Sequence, residues 1–595
     1  MADEINSQFE EEILEKAYDS KLMKRLLSYA RAYWKSFLAA VVMLLGSTAA
    51  DLARPKLLQV AIDDKISKGD LRGLGVIGMI FIGLILAGFL FNYVQIYVLS
   101  FAGQSIIYNI RQQVFSHLQK MTLSFFDKNP VGRLVTRVTN DTETLNEMYT
   151  NVLVTLFKDV LILLGTIVIL FNMNPMLALI TLAVSPLVVA VTVIFRLKIR
   201  EVYRRVRTTL ARINAAFSEN ISGMRIIQLF RRERENFDEF KKVNRDYYDA
   251  GMKEIVTFGI FRPVIEFLSY LAIAGVLWYG GGEVLRGTIQ FGVLYAFVNY
   301  INLFFQPIND LADKYNILQS SMAASERIFL ILDTPAEEDG GAGSLDKTFI
   351  KPGIEFKNVW FAYKGQDWVL RDVSFGVPAG GTVAIVGATG AGKTSIINLL
   401  NRFYEIGKGE ILIDGVNIRD VTKDSLRRCI GVVLQDVFLF SGTIKRNIRL
   451  NEDAITDEAV RDAAEYVNAG GFIGNLPGGY EEEVMERGST FSSGQRQLLA
   501  FARALAFDPP ILVLDEATSN IDTETELLIQ DALKKLTRGR TTIVIAHRLS
   551  TIQHADMILV LHKGKVREMG NHQELLARKG MYYNLYQLQE IKSEL

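Results

Sequence analysis

Two periodicities divide the chain. Before residue 320, apolar stretches long enough to cross a bilayer recur six times, near 37–60, 74–99, 152–172, 176–196, 256–280 and 288–310. The clearest are VIGMIFIGLILAGFLFNYV and MLALITLAVSPLVVAVTVIF. The first and last are less pure: Asp51, Arg54 and Pro55 interrupt one, and Asn299, Asn302 and Gln306 the other. A soluble core mimics one such stretch, but not six in this rhythm. From Gly353 onward, short β-branched runs (TVAIVG, EILIDG, IGVVLQ, ILVLDE, TTIVIAH) alternate with helical segments. That alternation predicts an α/β domain with a largely parallel central sheet. Between the two lies DTPAEEDGGAGSLDKTFIKPG, rich in Gly, Asp and Glu, which reads as a linker.

The expected fold class is therefore multi-domain: an α-helical membrane domain of six transmembrane helices plus an α/β domain. The expected division is a cytosolic tail and surface helix over 1–35, the membrane domain over 36–332, the linker over 333–352 and the α/β domain over 353–595. Loop lengths alternate along the membrane domain. About fifty residues separate spans two and three, and again four and five, with helix-like patterns and long cytoplasmic extensions expected in both. The other connections are short; FNMNPM and GGGEVLRG read as tight turns. The stretch from Lys198 to Lys253 is dense in Arg and Lys, including Arg200, Arg204, Arg205, Arg207, Arg231, Arg232 and Arg234. Basic loops stay cytoplasmic, which puts both termini and both long loops inside a cell membrane crossed several times.

Bulk composition adds little. Lys plus Arg and Asp plus Glu both number 66, so nothing global points to nucleic acid as a partner. Residues 1–20 are acidic and carry no signal-peptide pattern. Residues 21–35 (KLMKRLLSYARAYWK) are basic and amphipathic, fitting either a helix on the inner membrane surface or a simple cap before the first span. The single cysteine, Cys429, sits against a strand-like run and reads as a buried thiol. His117, His554, His562 and His572 lack metal-ligand spacing.

The sharpest motif is Gly387-Ala388-Thr389-Gly390-Ala391-Gly392-Lys393-Thr394, which fits G-x-x-x-x-G-K-[ST]. A strand pattern precedes it, and a helix pattern beginning at Ser395 follows it. The glycines let backbone N–H groups turn toward phosphate oxygens, and the helix N-terminus adds a positive dipole end. Lys393 would reach the β- and γ-phosphates, and the Thr394 hydroxyl would hold Mg²⁺. Ile511 to Leu514 is an apolar run ending in Asp515 and Glu516. Asp515 would hold Mg²⁺ through water, and Glu516 would polarise the attacking water.

With these motifs in this order, the chain resembles the ATP-binding cassette (ABC) family over nearly its whole length. The resemblance implies ATP and Mg²⁺ as cofactors. Phe491-Ser492-Ser493-Gly494-Gln495 is similar to the family signature LSGGQ. Gln435 resembles the Q-loop glutamine, a Mg²⁺ ligand, and Tyr363 the aromatic that stacks on adenine, which its flat ring suits. Ser519-Asn520-Ile521-Asp522 resembles the D-loop, and His547 the switch histidine at the γ-phosphate. In the family two cassettes face head to tail, so a second half-transporter is the implied partner. Spans preceding cassette resemble the exporter branch. There, Ser124 to Asp141 is similar to the first inner loop, whose coupling helix lies near 110–125 or slightly later; the second inner loop, near Ala215–Arg225, would dock on the partner's cassette.

One departure carries information. Ser493 stands where the signature has a glycine, while Glu516 and His547 are intact. This pattern resembles one subunit of heterodimeric bacterial multidrug exporters, which implies a non-identical partner; drift within a homodimer is the alternative. The implied activity is ATP-driven export of hydrophobic or amphipathic compounds by alternating access across the lipid bilayer. A lipid flippase and an ATP-gated channel are the alternatives. Ionisable residues within spans (Asp51, Lys158, Asp159, Arg262, Glu266) are candidates for the transport path. Lys158 and Asp159 equally fit the membrane edge, and Arg262 and Glu266, four apart, equally fit a simple pair. Tyr295, Asn299, Asn302, Phe305 and Gln306 offer a polar–aromatic mix for an amphipathic ligand.

Overall fold

The computed structural model describes residues 19–346, 353–515, 523–545 and 552–594. It divides into two compact units: Met1–Lys120 with Pro130–Pro335, and Met121–Asn129 with Ala336–Leu595.

In the first unit, α1 (Ser20–Ala30) is capped by Asp19, whose carboxylate accepts from the Lys21 amide at 2.7 Å. Arg25 on α1 pairs with Asp333 at 2.6 Å and lies over the Phe329 ring at 4.1 Å, and the Tyr149 hydroxyl donates to the Leu26 carbonyl. The amphipathic segment is thus fastened to the bundle by its buried face. Among the described residues, six helices are long and apolar enough to cross a membrane, as the hydrophobic pattern predicts. They are α2 (Trp34–Val60), α3 (Leu71–Leu118), α5 (Leu153–Met173), α6 (Pro175–Ala183) continued by α7 (Ser185–Ser222), α9 (Glu233–Leu285) and α10 (Phe291–Asp333), with a short α4 (Leu123–Lys128) between α3 and α5. Leu86, Phe89, Val193 and Trp278 are exposed on them, as lipid-facing side chains are.

The helix α3 has 48 residues and α9 has 53. At 1.5 Å per residue they run roughly 70–80 Å, more than twice a bilayer's hydrocarbon thickness. The long connections read from the sequence are therefore mostly continuations of membrane helices. The Asn174 side chain accepts from the Met176 and Leu177 amides, and Pro175 starts α6, which makes FNMNPM the tight turn expected. GGGEVLRG differs. Gly280 to Gly282 remain inside α9, and the chain reverses after Leu285 through Gly287, at φ +77°. Gly280 is there for packing: a Cβ on it would lie 2.7 Å from Leu294 of α10.

In the second unit, a six-stranded sheet has the order β12-β11-β3-β10-β9-β6. Its strands are β3 (Thr382–Val386), β6 (Ile430–Val433), β9 (Ile511–Asp515), β10 (Thr541–Ile545), β11 (Met557–His562) and β12 (Lys565–Gly570). All pairings are parallel except β11 with β12. Every residue of β9 and β10 is buried, because helices cover both faces of a parallel sheet. A four-stranded antiparallel sheet, β2-β1-β4-β5, adds β1 (Ile354–Ala362), β2 (Trp368–Val377), β4 (Lys408–Ile413) and β5 (Val416–Asn417), and β7 (Gly442–Thr443) pairs with β8 (Glu483–Val484). Cys429 is fully buried beside β6.

The same unit contains α4. Phe125 of α4 is buried, and the Tyr404 hydroxyl donates to the Asp127 carboxylate. It also holds the first part of the Gly-rich segment. Gly340 bridges Thr422 and Gly343 bridges Val421, while Asp339 accepts at 3.0 Å from the amide of Lys423, the first residue of α12 (Lys423–Arg428), which Thr422 caps. Glu337 takes a two-pronged hydrogen bond from Arg427, at 2.8 and 3.0 Å, and pairs with Lys423 at 3.1 Å. Residues 337–343 are thus strapped onto this unit.

Candidate functional site

The site grows from strand register. In the parallel sheet Ile385 of β3 pairs with Ile545 of β10, Ile545 with Asp515 of β9, and Leu514 with Val433 of β6. Four strands therefore end side by side. The chain leaves β3 into the Gly387–Lys393 loop and leaves β6 two residues before Gln435. Ligands of such sheets bind at the carboxyl ends of the strands.

The loop's shape depends on glycine at two positions above all. Gly387 has φ +157°, and a Cβ there would lie 2.2 Å from the Leu561 carbonyl oxygen. Gly392 has φ +101° and forms the N-terminal boundary of α11 (Lys393–Leu400); a Cβ there would lie 2.7 Å from Leu370. The result is a narrow backbone cradle opening onto a helix N-terminus, and it fits a polyphosphate. Lys393 is buried, and its Nζ donates to the Gly387 carbonyl at 2.6 Å and the Ala388 carbonyl at 3.2 Å. Burial lowers its pKa, and the Asp515 charge partly offsets that. Thr394 is exposed, while Ser395 is buried with its hydroxyl 3.0 Å from that of Tyr363.

Tyr363 is partly exposed and ringed by edges: Phe361 at 4.6 Å and Tyr404 at 5.0 Å, both nearly perpendicular to it. Asp515 is buried at the end of β9, and Gln435 is exposed in the bend after β6. Glu516, His547 and the D-loop residues Ser519 to Asp522 lie outside the described residues.

The signature segment caps α13 (Ser493–Ala506). Ser492 Oγ accepts from the Gln495 amide at 3.2 Å, and Gln495 Oε1 accepts from the Ser492 amide at 3.0 Å. This is a reciprocal capping box, legible in the sequence as S-x-x-Q. Ser493 is the first residue of the helix and has no positive φ, so serine fits there without backbone strain. Ser492 and Ser493 are exposed, and Gly494 is buried.

The transport-path candidates separate. Asp51 forms ion pairs with both Arg54, at 3.2 Å, and Lys158, at 3.3 Å, and Asp159 pairs with Lys314. Arg262 and Glu266 are both exposed and form no ion pair with each other among the described residues. Phe305 packs into the helical core, and the Asn299 side chain is spent on the Tyr295 carbonyl. Asn302 and Gln306 are exposed. The elements expected in the two long loops also differ. A short helix at Leu123–Lys128 stands at the late end of the range expected for the first coupling helix. Ala215 to Ser222 is the end of α7, and a separate short helix, α8 (Met224–Leu229), follows it. Ile226, Leu229 and Phe230 are exposed there.

Three comparisons place these features among known proteins. The "ABC transporter transmembrane region" matches residues 37–308, and "ABC transporter" matches residues 370–519. A probable multidrug resistance ABC transporter ATP-binding/permease protein of Bacillus subtilis is 42% identical over 88% of this chain and 78% of its own length. An ATP-dependent lipid A-core flippase of Syntrophus aciditrophicus is 37% identical over 96% of this chain and 94% of its own. The structure of a bacterial Atm1-family ABC exporter with ATP bound superposes with a TM-score of 0.77 at 31% identity, covering 93% of this chain and 98% of that one.

Proposed function

The chain belongs to the ABC transporter family, as an exporter half whose ATPase is coupled to transport, and on that premise we propose that it exports hydrophobic or amphipathic compounds of multidrug type. It works by alternating access in the cell membrane, with termini and cassette cytoplasmic, as half of a heterodimer. The observation that carries the reading is the register of β3, β10 and β9, which brings the Lys393 loop and Asp515 together at the carboxyl ends of the central strands.

In this reading ATP supplies a cleavable phosphoanhydride, and Mg²⁺ neutralises charge on it. Lys393 and the loop amides of Gly387 to Thr394 hold the phosphates. Thr394, Gln435 and, through water, Asp515 hold the metal. Glu516 polarises the attacking water, His547 senses the γ-phosphate, and Tyr363 stacks on the base. The Ser492–Gln495 segment at the N-terminus of α13, exposed at Ser492 and Ser493, serves the partner's nucleotide. Exposed Ile226, Leu229 and Phe230 supply the apolar patch with which the second inner loop docks on the partner's cassette.

The relative named as a flippase favours lipid movement as the second reading. The test is to purify the chain alone in lipid nanodiscs and measure its mass and Mg²⁺-ATPase rate. An inert or monomeric chain, rescued by a co-expressed half-transporter, supports the heterodimer. A stable dimer with robust hydrolysis overturns it in favour of a homodimer. ATPase stimulated by lipid alone and indifferent to drugs replaces the multidrug reading with the flippase.

A further inference from the structure

Tyr363 stands one residue past the end of β1, in the turn between β1 and β2, and is 43% exposed. The sheet ladder therefore does not hold it. Phe361 and Tyr404 meet its ring edge to face, at interplanar angles of 77° and 86°. Those contacts leave the far end of the side chain, its hydroxyl, to other partners.

The hydroxyl is spent on α11. Ser395 Oγ lies 3.0 Å from Tyr363 Oη, and Asn398 Nδ2 donates to the same Oη at a longer 3.4 Å. Ser395 and Asn398 are three residues apart, so they share one face of the helix. Because Asn398 donates to Oη, the phenolic proton is free to go to Ser395 Oγ. Ser395 is 4% exposed, so water competes little for that contact. α11 is also the helix onto which the phosphate loop opens, with Gly392 at its N-terminal boundary. One rigid element thus carries both the phosphate cradle and the anchor of an exposed aromatic side chain from a different segment. A ring that only stacks needs no such anchor, since phenylalanine presents the same flat face without a polar group to satisfy.

We propose that Asn398 and Ser395 are positioning residues for Tyr363: they hold the ring by its hydroxyl, fixed relative to the phosphate loop, before a nucleotide arrives. The cost of ordering the ring is then met in folding and not at binding, which tightens the hold on the base. The proposal rests on the reading of Tyr363 as the ring that stacks on the base, and it adds how that ring is kept in place.

The test uses the full chain in lipid nanodiscs, with Mg²⁺ chelated so that no nucleotide is hydrolysed. Displacement of trinitrophenyl-ATP is followed by fluorescence, with ATP or with tripolyphosphate, which has no base, as the competitor. Tyr363→Phe keeps the flat face and removes the hydroxyl. It is expected to weaken ATP about three- to tenfold, the scale of a lost neutral hydrogen bond. Asn398→Leu removes the longer of the two contacts and is expected to weaken ATP about threefold. Both variants should leave tripolyphosphate within about twofold of wild type, a split that general damage to α11 would not produce. The double variant should bind ATP no more weakly than Tyr363→Phe alone, since both act through one oxygen. ATP affinity unchanged in Tyr363→Phe, ATP and tripolyphosphate weakened together in Asn398→Leu, or additive losses in the double variant each overturn the proposal. Tyr363→Leu tells that failure from failure of the base reading. If removing the ring leaves ATP affinity unchanged, Tyr363 does not stack and both readings fall. If it weakens ATP while Tyr363→Phe does not, stacking stands and only the anchoring is overturned.

Discussion

Replacing Glu337 with glutamine isolates the strap that leads from α10 into the cassette. Glu337 is 18% exposed, and its carboxylate meets Arg427 in a two-pronged contact and Lys423, itself 11% exposed, at 3.1 Å. Burial pushes the carboxyl pKa up, but hydrogen bonds and charge from Arg427 and Lys423 outweigh it and hold the pKa below the usual glutamate range. A lowered folded-state pKa stabilises the protein above the unfolded-state value, and that stability is lost as pH falls through the folded-state value. Glu337→Gln keeps the shape and removes the charge, leaving two cations around a neutral amide. Hydrogen bonds to charged groups contribute about 1.5–3 kcal/mol, so a loss of about 2 kcal/mol is expected. For a unit of this size that lowers the cassette's melting temperature by roughly 4–8 °C. The assay is thermal unfolding of the full chain in nanodiscs at pH 7.5 and at a series of lower values. The gap between wild type and variant should narrow as pH falls into the carboxylate range, because the wild type then protonates as well. A double variant with Arg427→Gln should cost less than the sum of the singles, since both act on one contact. A gap below 1 °C at neutral pH, or one that stays constant down to acid pH, would refute the argument.

The other predictions concern catalysis and packing. Glu516→Gln should cut ATP turnover by at least about a hundredfold, as loss of a general base does, while nucleotide affinity stays near wild type; radiometric hydrolysis and equilibrium binding check both halves. Ser492→Ala removes the hydroxyl that caps α13 and should cost about 1 kcal/mol, read as a shift in cassette melting, with no change in loop nucleotide affinity. Gly280→Val sets methyl groups against Leu294, where even a Cβ would lie 2.7 Å away; overpacking of about 1–3 kcal/mol should appear as lower thermal stability of the membrane domain.

The apolar rhythm determined six spans, because a bilayer tolerates only segments that satisfy their own backbone, and that demand is written in local composition. Four of the β-branched runs became parallel strands β3, β6, β9 and β10, but EILIDG became β4 of the antiparallel sheet; the G-x-x-x-x-G-K-[ST] motif marked a loop whose backbone needs glycine at fixed steps. Local pattern misplaced what packing decides. Gly280 to Gly282 looks like a turn, yet it continues α9, and Gly280 is where Leu294 of α10 approaches too closely for a side chain. The Gly- and Asp-rich segment reads as a linker, and packing adds what composition does not show: Glu337 and Asp339 find partners about ninety residues onward at Lys423 and Arg427. The antiparallel β2-β1-β4-β5 sheet was equally hidden, since β1 and β2 alternate burial around bulges and the run that forms β4 looks like the parallel strands. Tyr404 meeting Asp127, and Asp51 meeting Lys158, join residues far apart in the chain. The sequence by itself therefore determined what each segment must be, because bilayer, sheet and phosphate each impose rules on neighbouring residues. Only the tertiary structure decided which charges are compensated and which glycines are filled space, because those depend on what arrives from elsewhere in the chain.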